Sequence, residues 1–339
     1  MKGTHNVKDF FAEVQRIEDA KQDLVVETRS LEMVDDNTVQ MRGITDSIGW
    51  TDHASGQVAD RLGIPRKFFT GRMAEFPGMR RDVVNRMWHE NSDTRMVRLL
   101  DDRMRAYVSD RFQPFDNALV IQPLMPILEG DTEVLAPNRI SMSDTRMYLQ
   151  FNIPQMRAEI VPGDEVTAGI IIKNSEVGAG ALAVEQYVWR VVCKNGLVAS
   201  KAMHQTHIGR AHEAYYQLDT QTADYAAFKL KLRDAIQYSI SRDAFDAEVE
   251  KLRAAAGVEV RRPETTIRNV TKRFQLTDTQ GENILSTMIS ERNMNLWGVV
   301  NGITALAHEE ENPDNQYEYE RIGYQVATLS VREIEELVA

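Results

Sequence analysis

One cysteine, Cys193, stands in 339 residues. A single thiol excludes an intrachain disulfide and a cysteine-rich zinc site, and it suits a reducing cytoplasm. No run approaches the roughly 18 apolar residues that mark a membrane span. The opening MKGTHNVKDFFAEVQRIEDAK holds no apolar core of signal-peptide length. Internal repeats and low-complexity tracts are absent. So are a P-loop, a GxGxxG after a strand, HExxH and GxSxG, which leaves no glycine cradle for phosphate, no zincin pair and no nucleophile elbow. The pattern demands neither an enzyme nor a cofactor, and a cytoplasmic protein is the expectation.

The most informative absence is local. From Gln186 to His212, QYVWRVVCKNGLVASKAMHQTHIGRAH, 27 residues carry no Asp or Glu, in a chain with 51 acids and a formal net charge of −11. The net charge opposes indiscriminate coating of nucleic acid or anionic membrane. A long acid-free segment that holds Arg190, Lys194, Lys201, Arg210 and three histidines is consistent with a place for an anion. A buried strand pair, which also excludes acids, accounts for it equally.

Hydrophobic residues make up 42% and charged residues 27%, the balance of a soluble globular protein. Residues 1–22 read as a short, peripheral polar helix. Leu24–Val34 and Thr38–Arg42 read as strands across the turn Asp35-Asp36-Asn37. Helices follow over Asp52–Leu62, from Pro65 through Phe76, and over Met79–His89, with Leu62, Ile64, Phe68 and Phe69 as the core of this unit. Thr94–Leu100 and Arg103–Ser109 form a hairpin around Asp101-Asp102. A polar turn, Ser109–Asn117, leads into a helix to about Leu128, capped by Asp116 or Asn117.

Period-2 alternation then dominates from Thr132 to Ile208. The expected strands are Glu133–Ser141, Met147–Ile153, Glu165–Lys173, Ala181–Lys194 and Leu197–Ile208. Asn174–Gly180 is a loop, and Lys194-Asn195-Gly196 carries the hairpin signal Asn-Gly. After Gly209 the helical period holds to the end, with capping boxes at Thr277-x-x-Gln280 and Ser330-x-x-Glu333. The fold class is therefore α+β: a central antiparallel β-sheet, an N-terminal helical block and an all-helical C-terminal third. A boundary near 215 divides a mixed α+β core, 1–215, from a helical region, 216–339, with no flexible linker between them.

Two cationic sets follow from strand alternation. A two-residue turn in the 94–109 hairpin sets Arg98 opposite Arg105 and puts Arg98, Arg103, Arg105 and Tyr107 on one face. Facing arginines repel, so a carboxylate such as Asp101, Asp102 or Asp110, or a ligand phosphate, must compensate. Arg111 lies just beyond. In the acid-free stretch Gln186, Arg190 and Lys194 share a face with Val188, while Tyr187, Trp189, Val191 and Cys193 share the other. Cys193 is therefore expected to be a buried, inert thiol. His204 and His207, three apart on a strand, point to opposite faces, and no acid or cysteine completes a metal site. Asp164, Glu165 and Glu185 suggest a metal nuclease only loosely, because no lysine follows Glu185 by two residues.

Four stretches together resemble the phage/plasmid-like proteins gathered as domain-of-unknown-function family 932. Leu62-Gly63-Ile64-Pro65 with Phe68-Phe69 is similar to that family's "LGIP…YY" block. Arg98-Leu99-Leu100-Asp101 through Ser109-Asp110-Arg111-Phe112 and Asp116-Asn117 resembles its "R-T-L…S-D-R-Y…D-N" core. Trp189–Asn195 resembles its "R-V-V-C-x-N" strand, and Trp297–Thr304 its "G-L-V-N-A-V-T" helix. Asn174-Ser175-Glu176-Val177-Gly178 departs from the family's "H-D-G-S" turn. The resemblance implies a phage or plasmid setting and no known activity. A looser fold-level analogy, to phage single-strand annealing proteins, comes from the antiparallel sheet followed by helices.

The leading expectation is a single-stranded DNA-binding protein of phage or plasmid recombination, with strand annealing as its candidate activity and a homo-oligomer as its expected state. Its backbone contacts are expected from Arg98, Arg103, Arg105, Arg111, Arg190, Lys194, Lys201 and Arg210. The alternative is an accessory protein that binds a host protein or a small anionic ligand.

Overall fold

The computed structural model describes residues 7–43, 46–90, 92–122, 124, 135–191, 195–205 and 218–338. Helix α1 (Val7–Ala20) turns Phe10, Val14 and Ile17 inward, at spacings of three and four, so it docks into a core instead of lying at the periphery. Strands β1 (Gln22–Glu27), β2 (Leu31–Met33), β3 (Thr38–Met41), β4 (Ile48–Trp50), β5 (Thr94–Leu100) and β6 (Arg103–Ser109) form a six-stranded sheet in the order β1-β5-β6-β4-β3-β2. The β4–β6 pair is parallel and the other pairs are antiparallel. The single strand expected over Leu24–Val34 is broken by a 3-10 turn, Thr28–Ser30, which sends its halves to opposite edges of this sheet.

The N-terminal helical block covers one face of that sheet. It comprises α2 (Asp52–Arg61), α3 (Arg66–Thr70) and α4 (Met79–Glu90). Thr51 caps α2 through its hydroxyl, and Gly63, at φ 71°, closes it in the left-handed conformation that glycine adopts at no cost. Trp50, Phe69, Met73 and Trp88 fill the core between helices and sheet. Phe69 is fully buried, but Phe68 is 42% exposed and belongs to the surface, not to the expected core.

The central sheet is the antiparallel meander that alternation predicts. It runs β7 (Ala136–Met142), β8 (Met147–Val161), β9 (Asp164–Asn174), β10 (Leu182–Arg190) and β11 (Asn195–Gln205), each paired with its sequence neighbour. One face, with Leu149, Phe151, Ile170, Ile172, Val184 and Val188, joins a large core shared with α1 and the C-terminal helices. On the other face Tyr148, Ile171, Tyr187 and Val198 meet Tyr317. Tyr187 and Val188 thus take opposite faces, as alternation requires.

Asn195 and Gly196 belong to β11, paired with Arg190 and Trp189, and not to the turn their dipeptide suggests. Gly196 is needed for packing: an added Cβ would lie 2.8 Å from Cε2 of Tyr187 and still closer to the ring's hydroxyl end. Asn195 is buried and donates to Oγ1 of Thr304 at 2.6 Å.

After the short α5 (Asn117–Ile121), the described C-terminal region is helical. It comprises α6 (Leu218–Ser239), α7 (Arg242–Ala256), α8 (Pro263–Phe274), α9 (Asp278–Ser290), α10 (Leu296–Glu309), α11 (Pro313–Ala327) and α12 (Val331–Val338). The Thr277–Gln280 capping box forms with both reciprocal bonds, and Glu333 accepts from the Ser330 backbone N–H at 2.9 Å. Polar bonds tie α11 to the sheet. Buried Glu320 accepts from Arg139, Gln150 and Tyr187, and Asp314 accepts from the Tyr148 hydroxyl. No helix among the described residues is long and apolar enough to cross a membrane.

Candidate functional site

The 94–109 hairpin forms with the expected bounds and a two-residue turn. Asp101 and Asp102 both have positive φ, 49° and 57°, as a type I′ turn requires. Its register differs from simple alternation beyond the second pair. Leu100 faces Arg103 and Leu99 faces Met104, but Arg98 faces Ala106. Arg105 is therefore the extra residue of a β-bulge, not the partner of Arg98. The bulge turns Tyr107 to the helix-covered face, where its ring lies 6.2 Å from Trp88, and removes it from the arginine face.

Carboxylates meet Arg98 and Arg105, and none of them is the nearby Asp101, Asp102 or Asp110. Arg98, 0% exposed, binds Asp23 through Nε at 2.7 Å and Nη2 at 2.9 Å, and lies 2.9 Å from Asp116. Its Nη1 donates to the backbone carbonyl of Glu176 at 2.6 Å. Arg105 Nη1 donates to Oε2 of Glu176 at 2.7 Å, and the Asn117 backbone N–H donates to Oε1 at 2.7 Å. Asn174 donates to Asn117 and to the carbonyl of Phe115. Residues separated by 57 to 78 positions thus meet in one buried polar seam, so no local pattern could have identified the partners.

The loop read as a mere connector, Asn174–Gly180, is central to that seam. His53 and Gln57 on α2 both donate to the Val177 carbonyl, and Arg146 donates to the carbonyl of Ala179. Beside this loop lies a cavity of about 230 Å³, lined by Thr51, Arg103, Arg105, Ser143, Thr145 and Glu176 among others. Arg105 is 8% exposed, and its Nε and Nη2 have no hydrogen-bond partner among the described residues. A buried polar group left in that condition costs about 1–3 kcal/mol, more when charged. The arrangement therefore favours an acceptor brought into the cavity, and hydroxyls of Thr51, Ser143 and Thr145 stand in the same lining. Arg103 is exposed and donates to the Trp50 carbonyl at 3.2 Å, without a carboxylate partner among the described residues.

The acid-free stretch has a different outcome. Arg190 is buried, with Nε on Asp164 at 2.7 Å and Nη1 on Glu291 at 2.9 Å, and Trp297 donates to the other oxygen of Asp164. Its guanidinium is neutralised and closed off, so it offers nothing to a phosphate backbone. Lys194, Arg210, Cys193, His207 and His212 lie outside the described residues. Lys201 and His204 lie on β11, with their side chains outside the description. Arg111 is exposed. Asp164 and Glu185 serve separate polar contacts, Glu185 accepting from the Tyr317 hydroxyl, and no metal-holding cluster exists among the described residues.

The seam makes stability depend on pH in a defined direction. Burial alone would push the Asp116 carboxyl up. The guanidinium of Arg98 and the ammonium of Lys21 more than reverse this and hold it below the usual carboxylate range. A depressed folded pKa contributes stability that is complete above the unfolded value, about 3.9, and is lost as pH falls through the folded value. Thermal unfolding should therefore show Asp116→Asn destabilised at neutral pH, with its gap to wild type narrowing as pH drops below about 4. A gap that stays constant down to acid unfolding would show that the charge of Asp116 is not involved.

The model of the family described as "Domain of unknown function (DUF932)" matches residues 105–335. That span takes in Arg105, the 174–180 loop and the central sheet, together with the C-terminal helices. No curated protein and no solved structure matches the chain.

Proposed function

The chain belongs to the DUF932 family, whose description assigns no activity, and from that premise we propose that it binds a small anionic ligand at the junction of its two sheets. The observation that carries this reading is Arg105. It is a buried guanidinium with one edge anchored by Glu176 and two N–H groups unpartnered beside a cavity. A planar guanidinium presenting Nε and Nη2 together suits the two oxygens of a phosphoryl or carboxylate group.

Extended single-stranded DNA is the second arm of the same test. Its expected path needs a row of exposed cations, and Arg98, Arg105 and Arg190 are buried and paired. The DNA reading now rests on Arg103, Arg111 and the residues outside the description. The homo-oligomer belongs to the DNA reading, and burial of Arg190 takes away one of the cations that reading needs at the surface.

Calorimetric titration with inorganic phosphate separates the readings. Wild type is expected to bind saturably. Arg105→Lys, which keeps a cation beside Glu176 but loses the fork, should weaken binding at least about tenfold, as expected for charged hydrogen bonds. The reading fails if phosphate does not bind, or binds both proteins equally. Steeply salt-dependent binding of a single-stranded oligonucleotide, unchanged by Arg105→Lys, would favour the DNA reading.

A further inference from the structure

We infer that the ligand is an extended polyphosphate-class anion. One phosphoryl group sits at Arg105, and the chain of phosphoryl groups runs past Thr145 and Arg146 toward Arg61 and Arg66. This deepens the anion reading of Arg105 and rests on it. The first observation is continuity: the cavity at Arg105 shares Thr145 and Arg146 with a second, larger cleft of about 620 Å³.

The second observation is the charge of that cleft. Arg61, Arg66 and Arg146 line it against a single lining carboxylate, Asp60, which is already held by Arg66 through both oxygens at 2.9 and 2.5 Å, while Arg146 lies 3.4 Å from Asp314 outside the lining. Arg61 is exposed and has no ion-pair partner among the described residues. His53 reports the same field. Burial lowers its pKa first, its bond to Val177 opposes this, and Arg66 and Arg146 lower it further.

The third observation is the space kept for these side chains. An added Cβ at Gly56 would lie 3.3 Å from the guanidinium of Arg66, and one at Gly180 would lie 3.3 Å from Nε of Arg146. A third cleft sets the direction. It shares Thr51, Arg103, Asp144 and Thr145 with the Arg105 cavity, and its lining adds Asp52 and Asp314, an acidic set less favourable to a polyanion than the Arg61/Arg66 cleft. A multiply charged anion therefore lies between Arg105 and the Arg61/Arg66 side.

The test titrates the full chain with inorganic phosphate and with tripolyphosphate. Wild type should bind tripolyphosphate at least tenfold more tightly than phosphate. Arg61→Gln/Arg66→Gln should abolish that advantage while leaving phosphate affinity unchanged, because neither residue lines the inner cavity. Arg111→Gln removes one exposed charge outside both cavities and should change neither affinity. Both arginines replaced in the double variant are exposed, and circular dichroism is the check that the variant folds. Equal affinities for the two probes in wild type, or an advantage that survives the double variant, overturn the inference while phosphate binding at Arg105 stands. Binding of neither probe overturns both.

Discussion

Replacing Arg98 with Ala is expected to destabilise the protein by about 3–5 kcal/mol, the cost of breaking a buried pair by removing one partner. Arg98 is wholly buried and serves three groups: Asp23, Asp116 and the Glu176 carbonyl. Asp116 is left with Lys21 alone, and the Glu176 carbonyl loses its charged donor. The truncation also opens a cavity between the hairpin and the 174–180 loop. Arg98→Lys should recover only part of the loss, because one ammonium cannot match the fork to Asp23 and reach the carbonyl as well. Urea unfolding monitored by circular dichroism measures this. A loss below about 1 kcal/mol, the level of an exposed pair, would mean that the seam is solvated.

Gly298→Ala is expected to cost about 3 kcal/mol or more, at the upper end of overpacking. In an open helix the change would gain up to about 1 kcal/mol from propensity. Here Gly298 sits in the first turn of α10, its N–H capped by the Asn295 side chain at 2.9 Å. An added Cβ would overlap the carbonyl oxygen of Asn293 and lie 2.9 Å from that carbonyl's carbon. The obstacle is backbone and cannot rotate away. Moving it disturbs Arg292, already in the left-handed region at φ 54°. Gly302→Ala should cost less, since an added Cβ there first meets the Cγ2 of Ile284 at 2.8 Å, the far end of a side chain, although that residue's carbonyl oxygen lies at 2.9 Å. Equal or higher stability of Gly298→Ala in the same denaturation would contradict this packing.

These two glycines and Trp297 lie in the stretch whose resemblance to a family helix was visible in the sequence. Their reason was not visible, because it is the close approach of a neighbouring backbone. The same division holds elsewhere. Strand positions over 136–205 and helix caps at Thr277 and Ser330 were legible because alternation and capping are local. The 94–109 hairpin was legible to its ends, but one bulge at Arg105 changed which residues face each other, and period-2 counting carries no sign of a bulge. The six-stranded sheet was hidden because the strand over 24–34 divides between two edges, one of which pairs with β5, some 70 positions away. The acid-free stretch fits an anion site or a buried strand pair from sequence alone, and Arg190 finds Asp164 at the start of β9 and Glu291 at the end of α9, both outside the stretch. Composition within a window cannot report carboxylates outside it. At the seam, Arg98 and Arg105 do not face each other as alternation sets them, yet both meet carboxylates. Glu176, which meets Arg105, lay in a loop that reads only as small and polar.

A crystal structure grown with inorganic phosphate tests the central claim most directly. The account predicts a phosphate in the cavity beside Glu176, with its oxygens about 2.7–3.2 Å from Nε and Nη2 of Arg105. Arg105 Nε and Nη2 engaged by a carboxylate or carbonyl of the chain itself, with the phosphate elsewhere, would contradict it.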